Sequence, residues 1–493
     1  MKMHTAPDHS QHLPSPQAGI SRRGFIAAAA VAGAAIALPA TGAQASTDPA
    51  APAAGSPAAK ARNVIFLVAD GMAAGSIALL DQHLYYTTGK HCVWLQTNAK
   101  ASTRRALQSN HSADSPVTDS AAASSAWSTG IKHNLKSLCV APDGSRPRPL
   151  LLRARQSGRR IGCVTTTTVT HATPAGFYAN LVQRGKEAQI GEQLLTQQLD
   201  VAMGGGAAFV DMSTALGKAA LADGVLVLNT RDELAAAKAR ISVDKDSAPL
   251  RRLLGLFNRS HLSYVLDRLP TEPSLVEMAD VALSTLGAGP DPFFIQIEAG
   301  RVDHAAHNND AGTLLGEMLE FDAVLERVLE FVSGRNDTLL VVTTDHATAN
   351  PGLTLYGKAA AQGLKSIAAA KHSFDWLRAQ VPDSTPVADR GRVLGNVVAE
   401  ARALAVGTEA KRMLQQAFDK EQADPFLARA SLDGVLGSIL SNDYGVGFVS
   451  VNHTADLTDI IALGPGSETL PGYLDNTDLH GWLCAVADIP TLS

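Results

Sequence analysis

Short apolar runs that close on an acidic residue or a histidine recur along the chain. Asn63-Val-Ile-Phe-Leu-Val-Ala69 leads into Asp70-Gly71, Pro292-Phe-Phe-Ile-Gln-Ile297 into Glu298, and Thr338-Leu-Leu-Val-Val-Thr343 into Thr344-Asp345-His346. Their length, bounding residues and β-rich content predict buried strands. A fourth run, Asp459-Ile-Ile-Ala-Leu463, follows Val449-Ser-Val-Asn-His453-Thr454. Amphipathic stretches alternate with these runs. From Gly312 to Val332, residues Leu314, Met318, Phe321, Leu325, Val328 and Val332 recur at helical spacing and share one face. Strands alternating with helices predict an α/β fold whose sheet is parallel or mostly parallel, with helices on both sides.

The chemistry gathers where the strands end. Glu298-Ala-Gly-Arg-Val-Asp303-His304-Ala-Ala-His307 puts two carboxylates and two imidazoles just beyond a strand's carboxyl end, where open α/β sheets bind ligands. Asp303 and His307 are four apart, so a helical turn points both the same way, and carboxylate plus imidazole is a ligand set suited to zinc. A lone Asp or His after a strand is usually a turn residue, but three strands ending in acid point to a shared site. If Asp70, Glu298, Asp303 and Asp345 converge, each pair at about 4 Å repels by roughly 4 kcal/mol at an effective dielectric near 20. Such a cluster persists only with protons or cations in it, and the histidines favour metal cations.

Val117-Thr-Asp119-Ser120, running into an Ala-rich stretch that ends at Gly130, reads as a helix. Asp119 is its natural N-cap and Ser120 falls in the first turn, where backbone N–H groups and the helix dipole favour an anion. A hydroxyl there, beside a metal, is a candidate nucleophile. Ser and Ala are also ordinary residues for a helix start and body, and local pattern alone favours that plainer reading. Asp114-Ser115 competes, but Pro116 follows it in place of a helical run.

Taken together these segments resemble the alkaline phosphatase family. The resemblance is carried by Val68-Ala-Asp70-Gly-Met72, Val117 to Ala121 with Ala126-Trp-Ser-Thr-Gly130, His171-Ala-Thr173-Pro174 and Asp200-Val-Ala-Met-Gly-Gly-Gly206. It continues through Glu298 to His307, Thr344-Asp345-His346-Ala and His453-Thr454, in the family's order. It implies a three-layer α/β/α sandwich with a large, mostly parallel central sheet and a crown-like insertion. It also implies two zinc ions and one magnesium. Ser120 would form a phosphoserine; Asp303, His307 and His453 would hold one zinc; Asp345 and His346 would hold the other. Asp70 would bridge that zinc to the magnesium, with Thr173 and Glu298 as further magnesium ligands. Arg184, eleven residues after Thr173, would clamp phosphate oxygens; without the family it reads as an exposed cation at a helix end. His171 and His304 stand where some bacterial members carry Asp and Lys, near magnesium and phosphate, to tune product affinity or simply to hydrogen-bond in a polar shell.

Composition fits this reading. The chain has 493 residues, 45% hydrophobic and 18% charged, with a net charge of 42 − 47 = −5, and no basic patch that would suit nucleic acid. Ser21-Arg22-Arg23-Gly24-Phe25-Ile26 and the apolar Ala27 to Leu38 form a twin-arginine signal, with Ala43-Gln44-Ala45 as cleavage site. This gives a signal over 1–45, an Ala/Pro-rich linker over 46–62, a catalytic domain over 63–350 and 447–493, and an insertion over 351–446 on the active-site face. The product would be periplasmic or secreted, with no membrane span once the signal is removed. Its substrates would be small phosphate monoesters; a homodimer stays open. The four cysteines form no CxxC pair; Cys163 and Cys484 read as buried thiols, and whether Cys92 pairs with Cys139 is open. Gly204-Gly205-Gly206 reads as a tight turn, since no Lys-Ser/Thr follows. The alternatives are a phosphodiesterase or sulfatase of the same superfamily, or a non-catalytic binder of phosphate or metal. Cys139-Val-Ala-Pro lacks the sulfatase motif, Thr173 and Glu298 argue against a diesterase, and Ser120 argues against a pure binder.

Overall fold

The computed structural model describes residues 60–243, 252–420 and 429–491. The expected signal over 1–45 and most of the expected linker over 46–62 lie outside the described residues. The strands are β1 (Asn63–Ala69), β2 (Arg104–Ser109), β3 (Arg160–Thr168), β4 (Val201–Gly205), β5 (Val225–Leu228), β6 (Arg252–Leu256) and β7 (Phe293–Ala299). They continue with β8 (Thr338–Thr343), β9 (Ala347–Thr348), β10 (Gly352–Leu353), β11 (Val446–Gly447), β12 (His453–Thr454), β13 (Thr458–Leu463) and β14 (Tyr473–Asp475). Ten build one sheet in the order β14-β2-β13-β8-β1-β7-β3-β4-β6-β5. β13 runs antiparallel to both of its neighbours and the remaining pairings are parallel. The sheet is thus mostly parallel, as the alternation of elements predicts.

Both faces of this sheet are buried, which is why the central strands read as continuous apolar runs. Along β1, Ile65, Leu67 and Ala69 enter one apolar cluster while Val64, Phe66 and Val68 enter the other. The helix Ala311–Val332 covers the first face with Leu314, Met318, Phe321, Leu325 and Val328, all fully buried. On the second face the Phe66 ring lies 5.2 Å from that of Trp127 and 5.4 Å from that of Phe177. Burying each such side chain contributes roughly 1.5–3 kcal/mol.

Register brings the acidic strand ends together. Val68 lies opposite Glu298 of β7 and Thr343 of β8, and Thr165 of β3 lies opposite Glu298. Asp70, Glu298 and Asp345 therefore leave the sheet side by side. A later pairing of β12 with β9 sets His453 against Thr348 and folds the final histidine back over the Asp345-His346 loop.

Gly204 and Gly205 belong to β4, so the expected tight turn is confined to Gly206, whose φ is +102°. The reason is close approach: a Cβ on Gly205 would lie 1.9 Å from Ser260 O, and one on Gly204 would lie 2.9 Å from Thr165. All four cysteines are buried and free, so Cys92 and Cys139 are not paired. The 351–446 segment carries helices Gly357–Ala368, Phe374–Ala379, Arg390–Arg402, Thr408–Phe418 and Leu432–Tyr444, and its two ends meet where β10 pairs with β11. Among the described residues no helix is long and apolar enough to cross a membrane.

Gly71 links the fold to the acidic cluster. Its φ is +69°, its N–H donates to Asp345 Oδ1 at 3.1 Å, and a Cβ there would lie 2.6 Å from Asp303 Oδ1. Gly89 has a similar φ of +74° but open space around it. Gly89→Ala should cost roughly 1–2 kcal/mol from backbone strain alone. Gly71→Ala should cost more, and it alone should weaken divalent-metal binding. Urea unfolding and metal titration of the two variants check this; equal costs with unchanged metal affinity would contradict it.

Candidate active site

The helix Ser120–Thr129 begins and ends as its sequence predicts. Asp119 Oδ1 accepts the Ala122 N–H at 3.0 Å as N-cap, and Gly130 closes the helix at φ +72°. The helix is buried along its length, so Ser120 (1% exposed) is fixed where the strand ends converge. Its Oγ lies 3.3 Å from His346 Nε2.

Around that hydroxyl the expected residues assemble. His346 Nε2 is 3.1 Å from Asp345 Oδ2 and 3.7 Å from Asp70 Oδ1. On the short helix Arg301–His307, His307 Nε2 is 3.4 Å from Asp303 Oδ2, while His453 Nε2 is 3.6 Å from Asp303 Oδ1. Thr173 Oγ1 donates to Asp70 Oδ2 at 3.2 Å. Three groups offer ligand atoms within 4.8 Å of one another: Asp303 with His346 and His453, Asp70 with Asp345 and His346, and Asp70 with His171 and Glu298. His346 thus lies within ligand reach of Asp303 and His453 as well as of Asp345.

Arg184 is no helix-end surface cation. It sits ahead of the helix Glu187–Gln197, with Nη1 3.3 Å from Asp119 Oδ2 and Nη2 donating to His171 Nε2 at 2.9 Å. Because a guanidinium only donates, His171 Nε2 is the lone-pair nitrogen and Nδ1 carries the hydrogen. His171 Nδ1 is buried without a hydrogen-bond partner. The His171 and His304 rings lie 5.4 Å apart.

A model of the alkaline phosphatase family matches residues 61–489. The chain belongs to the alkaline phosphatase family. It is 28% identical over 432 residues to alkaline phosphatase 3 of Bacillus subtilis (strain 168), a match covering 85% of this chain and 87% of that protein. The repressible alkaline phosphatase of Saccharomyces cerevisiae is 31% identical over 323 residues, 59% of this chain and 55% of that protein. The crystal structure of Thermus thermophilus alkaline phosphatase superposes with a TM-score of 0.79 at 29% identity, covering 88% of this chain and 92% of that one.

The side chains of this alkaline phosphatase family member suit a metal centre. Asp70 Oδ1 and Glu298 Oε1 are buried without a hydrogen-bond partner. His307 Nδ1 faces Val451 O at 2.6 Å and His453 Nδ1 faces Thr118 O at 2.8 Å, so each donates to a carbonyl. That leaves two Nε2 lone pairs 2.9 Å apart, an arrangement that calls for a shared proton or a cation. Burial, followed by the charges of Asp345, Asp303 and Glu298, pushes the Asp70 carboxyl well above its usual range. Burial likewise pushes Glu298 up to about 7. Burial also favours neutral Asp303, but the imidazoles of His307, His453 and His346 outweigh it and hold that carboxyl well below its usual range. Asp303 in turn outweighs burial at His307 and raises it to about 9.

Several participants are invisible to the motif reading. Thr348 Oγ1 donates to Asp303 Oδ1 at 2.6 Å, Thr167 Oγ1 donates to Glu298 Oε2 at 3.3 Å, and Thr165 donates to the same oxygen. The run Thr165 to Thr168 was the one available signal, since four hydroxyls at a buried strand end need acceptors. His261 has no such signal; its ring centre lies 4.7 Å from that of His304 and 5.5 Å from that of His171.

These shifts give a stability test. In metal-free protein Glu298 titrates near 7 when folded, above its ordinary 4.5, so its contribution is present at low pH and lost as pH rises through about 7. His307, raised from 6.5 to about 9, acts in the same direction at higher pH. The melting temperature of chelated protein should therefore fall between about pH 6.5 and pH 9. Divalent metal, by replacing the protons, should flatten that slope. A chelated protein equally stable across the range would contradict this account.

Proposed function

We propose that this protein is an exported phosphomonoesterase that works through a phosphoserine at Ser120, at a site for two zinc ions and one magnesium. The observation that carries the proposal is the buried Ser120 hydroxyl, held in the first turn of its helix 3.3 Å from His346 Nε2. A protein that merely bound phosphate or metal would need no nucleophile at that position.

In this reading Asp303, His307 and His453 would hold one zinc, and Asp345 and His346 the other. Asp70, Thr173 and Glu298 would hold the magnesium. The Asp303 to His307 and His453 separations and the Thr173–Asp70 hydrogen bond support these groupings. Bound there, the ions would supply Lewis-acid stabilisation and lower the pKa of the hydroxyl.

The protein's own groups then act in order. Ser120 Oγ forms a bond to phosphorus as the ester P–O bond breaks and the alcohol leaves. Water next attacks phosphorus, the Ser120 O–P bond breaks, and inorganic phosphate departs. Arg184, aimed by Asp119 and His171, presents two N–H groups to phosphate oxygens. His304 and His171 tune how tightly the product is held.

The Arg22-Arg23 pair and the apolar stretch behind it support twin-arginine export to the periplasm or beyond, with residues 1–45 as the signal and 46–62 as the linker. Residues 351–446 form an insertion beside the site in this reading. The pairing of Gly352 with Gly447 and the Phe374 N–H donated to Asp310 Oδ2 at 2.8 Å, just beyond His307, support it.

Ser120→Ala should lose at least about a thousandfold in turnover, or roughly 4 kcal/mol of barrier, while keeping its fold and metals. Labelled phosphate trapped at acid pH should be found on Ser120. Label on Ser115, or on no residue, would remove the nucleophile assignment.

A second test compares ester classes. A terminal phosphate with two negative charges suits Arg184 and two cations better than a diester does. Monoester kcat/KM should exceed the diester value by roughly a thousandfold. Arg184→Ala should weaken phosphate binding and shrink that ratio. Comparable rates on both esters in the parent protein would favour a diesterase instead.

A further inference from the structure

His261 lies in the loop that follows β6, and Gly205 at the end of β4 and Gly206 just beyond it fix that loop. Gly206 N–H is shared between Asn258 O at 3.0 Å and Ser260 O at 2.8 Å, and the missing Cβ of Gly205 leaves room for Ser260 O. The imidazole is thereby delivered to the end of β3, where Nδ1 accepts the Thr168 N–H at 3.1 Å. With its lone pair used at Nδ1, His261 carries its hydrogen on Nε2.

His304 reaches the same state by a different route. Arg301 Nη1 donates to its Nδ1 at 2.7 Å, and a guanidinium cannot accept, so Nε2 of His304 bears the hydrogen. The two rings lie 4.7 Å apart at 61°. Among the described residues neither Nε2–H has a protein acceptor. Both lone pairs are engaged, so the pair cannot ligate a metal and can only donate. Burial, then the charges of Arg301 and Arg184, lowers His261 to about 4. Two carboxylates stand near the arginines. Asp119 is 3.3 Å from Arg184, and Asp375 is 3.9 Å from Arg301 while also bonded to Arg378 and Asn308.

A donor-only pair beside Arg184 fits an acceptor-only ligand. We propose that His261 is a further phosphate-binding residue, its Nε2–H acting with that of His304 on oxygens of the phosphate bound at Ser120 and Arg184. The proposal rests on the phosphomonoesterase reading and adds a residue to it that no motif of the chain marks.

The test uses the full-length, metal-loaded protein and inorganic phosphate, with binding measured by calorimetry alongside competitive inhibition. His261→Phe keeps the ring volume but removes the donor. His261→Gln keeps an acceptor for the Thr168 N–H and an N–H to offer. The Phe variant should bind phosphate about tenfold more weakly or worse, the loss expected of one hydrogen bond to a charged group. The Gln variant should stay within about threefold of the parent, on the same warrant. A Phe variant that binds phosphate as the parent does, or a Gln variant as weak as the Phe variant, overturns the proposal. An active parent with that outcome overturns this residue's role alone. A parent that neither hydrolyses monoesters nor binds phosphate overturns both readings.

Discussion

Four carboxylates, each 4% exposed or less, end the central strands and the adjoining helix within reach of one another, and their mutual repulsion is the constraint on which the site depends. Ligand oxygens of Asp70 lie within 4.8 Å of those of Asp345 and of Glu298. At that range each ionised pair costs about 3 kcal/mol at an effective dielectric near 20. With net stabilities of about 5–15 kcal/mol for a folded domain, two or three such pairs would consume most of the margin. The protein answers in two ways. Imidazoles from His307, His346 and His453 stabilise the charges of Asp303 and Asp345, while Asp70 and Glu298 are left holding protons or a cation.

The rest of the fold serves to hold that unfavourable cluster in place. Parallel register sets β1, β7 and β8 ends level, and two apolar clusters clamp the sheet from either face. Threonine hydroxyls and backbone carbonyls then orient two of the carboxylates and two of the imidazoles. Thr348 fixes Asp303, Thr165 and Thr167 fix Glu298, and the carbonyls of Val451 and Thr118 turn His307 and His453 so that Nε2 faces inward. Ser120 needs no separate support, because its helix is capped by Asp119 and buried throughout.

Much of this was legible in the sequence where local chemistry decides. The Asp119 cap and Gly130 stop depend on neighbours within a turn, so the helix boundaries agree with the structure. Strands β1 and β8 are apolar on both faces and read directly. Direction was not legible: the apolar pattern of β13 is the same whichever way it runs, and it proves antiparallel. The glycines at 204–206 looked like a turn because composition cannot reveal that β3 and the Ser260 loop press on them. His261 was missed for the same reason, since its place follows from β4 lying next to β6 rather than from any spacing. Arg184 shows the reverse case: family order singles it out, whereas its contacts to Asp119 and His171 are visible only in the structure.

If cations offset the carboxylate repulsion, removing one of the negative charges should have opposite effects with and without metal. The most direct measurement is the melting temperature of the parent and of Asp70→Asn, each chelated and each loaded with zinc and magnesium. The account predicts a crossover, with Asp70→Asn more stable than the parent when chelated and less stable when loaded. Destabilisation of Asp70→Asn by the same amount in both states would contradict it, because Asp70 would then matter as a packed hydrogen-bonding residue and not as a charge awaiting a cation.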